Sequence, residues 1–249
     1  MTDTIDKVAS TNSPTKQATR YLVNCTFIVM AWHQRLLEIK NKSQREPFQE
    51  EGDSPTTAYL QFFRTTISAS DAAKLKRCQH MDDVAMQPAF IALWQQVESK
   101  LLQNDANQST LGNKSSDNTF AAWLAVAWVL SQVRTVDERY LVASTGKSKR
   151  QLNNTLARVA GQRQDDSERA LITPLRFEKL ISARDPDNFV SLLARMVAQL
   201  QQQGQAINTI WLANDILHWF ADYQGSNYRT PKDKLTVQWS LTYYQMHSD

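Results

Sequence analysis

The chain has 249 residues, enough to bury one sizeable hydrophobic core or two small ones. Its 28 lysines and arginines nearly balance its 25 aspartates and glutamates, so net charge alone does not require a nucleic-acid partner, and the placement of the charges must decide. Two cysteines, Cys25 and Cys78, are too few for a disulfide framework and too far apart for a local metal or redox motif, which favours a reducing cytoplasm.

Low glycine and proline contents, with abundant alanine, leucine and glutamine, favour helices over a turn-rich β fold. We predict an all-α protein, a helical bundle in two packed lobes. The predicted divisions are a disordered tail (1–20), an extension with one helix and a linker (21–55), an N-terminal lobe (56–102), a polar connection (103–119) and a C-terminal helical bundle (120–249). The apolar run over residues 21–39 is interrupted by polar residues and is too short for a membrane span, so it predicts a buried helix.

The first basic cluster lies on a predicted helix that Ser70 is placed to cap. Lys74, Lys76 and Arg77 follow within it, and a basic run of this kind is often no more than a solvated helix face. Further on, residues 120–133 form a strongly apolar helix. Its Trp123 and Trp128 indicate core packing rather than a platform for stacking bases.

The segment at residues 140–148 looks like the end of a phosphate-binding loop. The first glycine of that motif is replaced by Leu141, and no apolar strand ending in aspartate follows, so the sequence argues against nucleotide hydrolysis. What remains is a cluster of cations at a predicted helix start: Lys147, Lys149 and Arg150. Closely spaced cations raise the local positive potential, which makes this cluster a candidate phosphate contact.

Residues 176–219 predict three helices joined by short connections. Asp185 and Pro186 stop one helix and start the next, Gly204 ends the second, and Asn208 or Thr209 opens the third. Three arginines fall at the ends and outer sides of these helices: Arg176, Arg184 and Arg195. Any one of them alone is most simply a solvated surface residue.

No arrangement of residues indicates catalysis. The four histidines lack metal-binding spacing, and no nucleophile motif is present. The acidic pairs at 82–83 and 165–166 predict surface charges and helix caps rather than acid–base catalysts. We therefore predict a protein that is not an enzyme and needs no cofactor.

Several segments together, in their order along the chain, resemble the CasB family, the small subunit of the type I-E CRISPR surveillance complex Cascade. The similar segments are Ala72-Ala73-Lys74-Leu75-Lys76-Arg77, Pro88-Ala89-Phe90, Arg176-Phe177, Ala183-Arg184-Asp185, Leu192-Leu193-Ala194-Arg195, residues 212–219, and Trp239 with the pair Tyr243-Tyr244. The extension before residue 56, the connection at 103–119, Ala194 in place of a frequent arginine and Pro186 in place of a basic residue depart from the family pattern.

The resemblance implies a helical, non-catalytic subunit that joins a ribonucleoprotein in two copies, between the large subunit and the backbone subunits on the guide RNA. It implies contacts with guide RNA and target DNA through the sugar-phosphate backbone, which stabilise the R-loop and the displaced strand. The expected contact residues are Lys74, Lys76, Arg77, Lys147, Lys149, Arg150, Arg176, Arg184 and Arg195. Two alternatives stay open: a free-standing helical DNA-binding or regulatory protein, and a helical protein–protein interaction module.

Overall fold

The computed structural model describes residues 28–30, 32, 33, 36, 69–105, 116–137, 156–163, 169–225 and 230–248. Within these ranges the chain is helical and contains no strand or sheet, apart from isolated bridges that pair Val136 with Ile207 and Arg163 with Ala170. The all-α prediction is confirmed. The division into two lobes stays a prediction.

The described elements, in chain order, are α1 (Ala69–Arg77), α2 (Met81–Ala85), α3 (Pro88–Asp105), α4 (Ser116–Leu130), α5 (Leu156–Gly161), α6 (Pro174–Ile181), α7 (Pro186–Gln202), α8 (Thr209–Tyr223), a 3-10 turn (Pro231–Asp233) and α9 (Leu235–Ser248). In this described part of the chain, no helix is both long enough and apolar enough to cross a bilayer.

The helix signals predicted around α7 and α8 are present. The Asp185 carboxylate accepts a hydrogen bond from the Asn188 amide at 2.8 Å, and Pro186 occupies the first turn of α7, where no amide hydrogen is needed. Gly204, at φ +76°, follows the end of α7 in a conformation that only glycine adopts without strain. The Asn208 side chain accepts from the amides of residues 210 and 211, so Asn208 rather than Thr209 caps α8.

Three helix boundaries differ from the expected ones. Helix α1 begins at Ala69, so Ser70 lies in its first turn instead of preceding it as a cap. Helix α3 continues to Asp105, and α4 already begins at Ser116, where serine, aspartate, asparagine and threonine form the first turn, the part of a helix that these residue types favour. The polar connection between the two helices therefore narrows to residues 106–115, which lie outside the described part of the chain.

Helix α4 lies at the centre of the molecule. Every residue from 122 to 133 is buried, as expected for a helix that is apolar on all sides. It packs against α1, α2 and α3, and also against α7 and α8. The predicted core role of Trp123 and Trp128 is confirmed, since their side chains are 1% and 4% exposed.

The family-like segments of the C-terminal half contribute mainly to packing. Phe177 of α6 stacks on Tyr243 of α9, and Phe189 of α7 stacks on Trp219 of α8, with ring centroids 4.0 Å apart in both pairs. The Trp239 indole donates a hydrogen bond to the buried Asp215 carboxylate at 3.1 Å. These contacts fix α6, α7, α8 and α9 relative to one another and so position the outward face of α7.

Candidate nucleic-acid interface

A cleft of about 560 Å³ opens between the end of α1 and the face of α7 that points away from α8. Its floor comes from α4. The residues that line it are Lys76, Cys78, Gln79, His80, Trp128, Gln132, Asp187, Asn188, Ser191, Ala194, Arg195 and Ala198. The cleft therefore brings together two of the predicted contact residues, Lys76 and Arg195, that are far apart in the sequence.

Lys76 contributes a partly buried ammonium group to the cleft. The side chain of Gln132, two residues after the end of α4, donates a hydrogen bond to the Lys76 carbonyl at 3.1 Å. This bond fixes the end of α1 against the cleft floor. Burial lowers the pKa of Lys76, and the neighbouring Arg134 guanidinium lowers it further. Both causes disfavour the charged lysine, and an anion bound close to the ammonium group would favour the charged form.

Arg195 lies on the opposite wall, on the outer face of α7, and its side chain is exposed. The neighbouring positions on this wall carry small side chains: Ser191, Ala194 and Ala198. Because residues three and four apart share a helix face, these small side chains leave the space next to Arg195 open.

The acidic group at the cleft, Asp187, is already engaged with the backbone. One of its carboxylate oxygens accepts a hydrogen bond from the Met81 amide at 3.3 Å and so joins α7 to the start of α2. Asp83 caps the same helix by accepting from the amides of Gln79 and His80, which confirms its predicted capping role. Within the described residues, the side chains of Lys76 and Arg195 form no ion pair.

Arg176 extends the positive surface along α7. Its guanidinium donates a hydrogen bond to the Gln199 side chain at 2.6 Å, and Gln199 lies one helical turn after Arg195. Gln199 is held in turn by its own hydrogen bond to the Leu171 carbonyl at 3.2 Å. Arg176 and Arg195 therefore approach the same edge of α7.

The remaining predicted contact residues do not line the cleft. Lys74 lies about 200° around α1 from Lys76 and pairs with Asp71 at 3.7 Å. Arg77 is exposed at the end of α1, and Arg184 is exposed in the turn between α6 and α7. The predicted cluster at 147–150 lies outside the described residues, as do the loop at 140–148 and the acidic pair at 165–166.

The structure adds residues that the sequence did not indicate. Arg134 acts on the charge of Lys76, and Asn188 and Ser191 place polar groups on the α7 wall of the cleft. Each is an isolated polar residue without a motif, so only the folded arrangement identifies it. Among the residues that the structure describes, no cluster of histidine, cysteine and carboxylate side chains is suited to hold a metal ion.

Comparison with known proteins gives a family for this fold and cleft. The family model described as CRISPR-associated protein Cse2 matches residues 71–244, which is more than half of the chain and includes every residue that lines the cleft. No curated protein and no solved structure matches the chain. The chain therefore belongs to the family of CRISPR-associated protein Cse2, the CasB family of type I-E Cascade small subunits.

Proposed function

We propose that this protein is a non-catalytic small subunit of a type I-E Cascade ribonucleoprotein that binds nucleic-acid backbone without sequence preference. The observation that carries the proposal is the convergence of Lys76 and Arg195 on one cleft. Arg134 acts on the charge of Lys76, and Arg176 of α6 contacts Gln199, one turn after Arg195 on α7. The near-zero net charge of the chain makes this local concentration of cations informative, because it does not follow from a uniformly basic surface.

The proposed role follows from the energetics of strand exchange. Guide RNA pairing reads the DNA sequence, while protein cations neutralise phosphates and carry no base information themselves. Exchange of a DNA duplex for an RNA–DNA duplex is nearly balanced in free energy. A small number of phosphate contacts to the displaced strand is therefore enough to favour the open R-loop. The partners in this proposal are the large and backbone subunits, a second copy of this chain, guide RNA and target DNA, in the cytoplasm.

The binding of single-stranded DNA to the purified chain at several salt concentrations tests the backbone contacts. Arg195→Ala is expected to weaken binding, and the loss of affinity should be the same for oligonucleotides of unrelated sequence. It is also expected to make the slope of log affinity against log salt shallower by about 0.7, the contribution of roughly one phosphate on a single strand.

Lys232→Ala is the matched control. Lys232 is exposed in the 3-10 turn beside α9. Helices α8 and α9 pack on the face of α7 that carries Phe189, whereas the cleft lies on another face of α7. The control removes the same charge and should leave the slope unchanged. Equal slopes for wild type and Arg195→Ala would remove the cleft from the proposal, whereas strong preference for one duplex sequence would favour the free-standing DNA-binding alternative.

Assembly is tested separately by co-expression with a CRISPR repeat array and the neighbouring subunits. We expect the chain to co-purify with guide RNA. A chain that purifies alone under these conditions would instead support the interaction-module alternative.

A further inference from the structure

We infer that Arg134 is a further phosphate contact of this protein and that Gln201 is the residue that positions it. The inference rests on the proposed function and deepens it. It names a cation outside the cleft lining and the uncharged side chain on which that cation depends. Arg134 belongs to the segment that follows α4, residues 131–135, which we call the post-α4 segment.

The Gln201 side chain bonds only to main-chain atoms, and most of them belong to the post-α4 segment. Its amide oxygen accepts hydrogen bonds from the Arg134 and Thr135 amides, both at 2.7 Å. Its amide nitrogen donates to the Thr135 carbonyl at 3.1 Å and to the Gln205 carbonyl at 2.8 Å. A side-chain amide offers two donor hydrogens and two acceptor sites, so that of Gln201 is fully used. Gln201 therefore joins the post-α4 segment to the end of α7.

Two further side chains hold the post-α4 segment from other directions. The Gln132 side chain donates to the Lys76 carbonyl at 3.1 Å, which ties the segment to the end of α1. The His33 ring contacts the Val133 carbonyl at 3.2 Å, and because a carbonyl only accepts, the ring nitrogen is the donor. The backbone on both sides of Arg134 is thus fixed by side chains from separate parts of the chain.

The Arg134 guanidinium itself stays available. The side chain is exposed, and within the described part of the chain it takes part in no hydrogen bond or ion pair. Gln132 places the segment at the end of α1, and the charge of Arg134 acts on the Lys76 ammonium group. A phosphate close to both cations interacts favourably with each, and the guanidinium offers it two parallel N–H donors.

The post-α4 segment meets α7 where the cleft wall ends. Ala194 and Ala198 line the cleft, and Gln201 follows Ala198 by three residues, so it lies on the same side of α7. Arg195 lies on this wall as well. Arg134 therefore adds a cation at the end of the cleft where the segment after α4 joins α7.

The fixed backbone gives Gln201 a role in binding as well as in folding. An arginine on a fixed backbone loses less conformational freedom when it binds a phosphate than the same arginine on a free loop. Gln201 carries no charge of its own. A change at Gln201 that weakens phosphate binding must therefore act through the position of another group.

Single-stranded DNA binding by the full chain at several salt concentrations tests the contact. Arg134→Ala should make the slope of log affinity against log salt shallower by about 0.7, the contribution of one phosphate on a single strand. At about 0.1 M salt the same contribution is a loss of about fivefold in affinity. Lys232→Ala removes the same charge elsewhere and should change neither quantity. Equal slopes for Arg134→Ala and Lys232→Ala would overturn the inference.

A double-mutant cycle tests the positioning. Gln201→Met keeps the length of the side chain, removes its hydrogen bonds and changes no charge. In the wild-type background it should weaken single-strand binding about threefold or more. In the Arg134→Ala background the loss should be below about 1.5-fold, because the group that Gln201 positions is absent. Equal losses in the two backgrounds would show that Gln201 serves the fold alone.

Gln202→Met is the matched control, since Gln202 is exposed beside Gln201 and, within the described residues, its side chain makes no hydrogen bond. It should leave the affinity unchanged in both backgrounds. Urea unfolding shows which variants are folded under the binding conditions. Gln201→Asn, which keeps the amide but is shorter by one methylene, replaces Gln201→Met if the latter does not fold. Its coupling to Arg134 should be about twofold, and absence of coupling would equally overturn the positioning role.

The outcomes separate the inference from the proposed function. A shallower slope for Arg195→Ala with no change for Arg134→Ala would leave the proposed function intact and remove the inference. Absence of single-strand binding by the wild-type chain would remove both. An Arg134→Ala variant that binds single strands normally but no longer co-purifies with the neighbouring subunits would assign Arg134 to a protein partner, which also overturns the inference.

Discussion

Asp215 shows how a residue in a family-like segment serves the fold rather than a site. It is buried between α8 and α9, where it accepts a hydrogen bond from the Trp239 indole. Burial raises the pKa of the Asp215 carboxyl to about 7, although the hydrogen bond from Trp239 acts in the opposite direction. The carboxylate form is therefore unfavourable in the folded state, and the protonated form is compatible with it.

This raised pKa predicts the sign of a pH effect. Because the folded-state pKa of Asp215 lies above the unfolded value of 3.8, protonation of this carboxyl contributes to folding stability. This contribution is fully present below pH 4 and is lost as pH rises through 7. Asp215→Asn keeps an acceptor for Trp239 and carries no charge, so it should gain stability relative to wild type between pH 5 and pH 8, by about 2–3 kcal/mol. Urea unfolding of both proteins at the two pH values measures this gain. A difference between the proteins that is the same at pH 5 and pH 8 would contradict it.

Gly161 is constrained by a close approach of two helices. A Cβ atom at this position would lie 2.5 Å from the Tyr243 carbonyl oxygen and 3.2 Å from the Met246 Cβ. Gly161→Ala should therefore destabilise the protein by about 1–3 kcal/mol, even though alanine is the better helix former. Thermal or urea unfolding measures the change. The exposed Leu241, inside α9, gives the comparison: its alanine variant should be more stable than its glycine variant by about 1 kcal/mol, and the same order at Gly161 would refute the steric argument.

At the scale of the element, α7 performs two tasks with two faces. One face buries Phe189, Val190, Leu193, Val197 and Leu200, and the other forms the cleft wall with Arg195. The position of Arg195 thus depends on where the helix begins. That start is set by the Asp185 cap and by the Asp187 contact with the Met81 amide.

Removal of the cap tests how much this helix start stabilises the protein. Asp185→Ala should destabilise the protein by about 1 kcal/mol, because the Asn188 amide loses its acceptor. Asp185→Asn should behave nearly as wild type, since asparagine caps helices about as well. Urea unfolding of the three proteins distinguishes the outcomes, and equal losses for the two variants would point to the charge of Asp185 rather than to its cap.

At the scale of the whole molecule, local rules explain what the sequence predicted. The caps at Asp185 and Asn208, the glycine after α7 and the buried tryptophans of α4 depend on nearest neighbours and on helical periodicity. The cleft does not follow from these local rules, because it requires the end of α1, the end of α4 and one face of α7 to meet. Basic residues were therefore recognisable as candidates, but nothing in the sequence separated Lys76, which faces the cleft, from Lys74, which does not.

The core also extends beyond the segment that the family match covers. Ile28, Val29, Trp32 and Leu36 are buried in the same hydrophobic cluster as α4 and the C-terminal helices. The Trp32 indole donates a hydrogen bond to the Ala89 carbonyl at 2.8 Å, and His33 contacts the Val133 carbonyl at 3.2 Å. The described residues of the N-terminal extension are thus part of the hydrophobic core.

A single continuous core predicts that damage at its N-terminal end is felt at its C-terminal end. Trp32→Ala should destabilise the protein by about 3–5 kcal/mol, through the cavity and the lost donor to Ala89. Trp32→Phe should lose less, since most of the packing remains. Hydrogen exchange of amides in α8 and α9 should report the same loss as urea unfolding followed by circular dichroism. Full protection of those amides in Trp32→Ala would show that the two predicted lobes unfold independently, and that the shared cluster does not couple them.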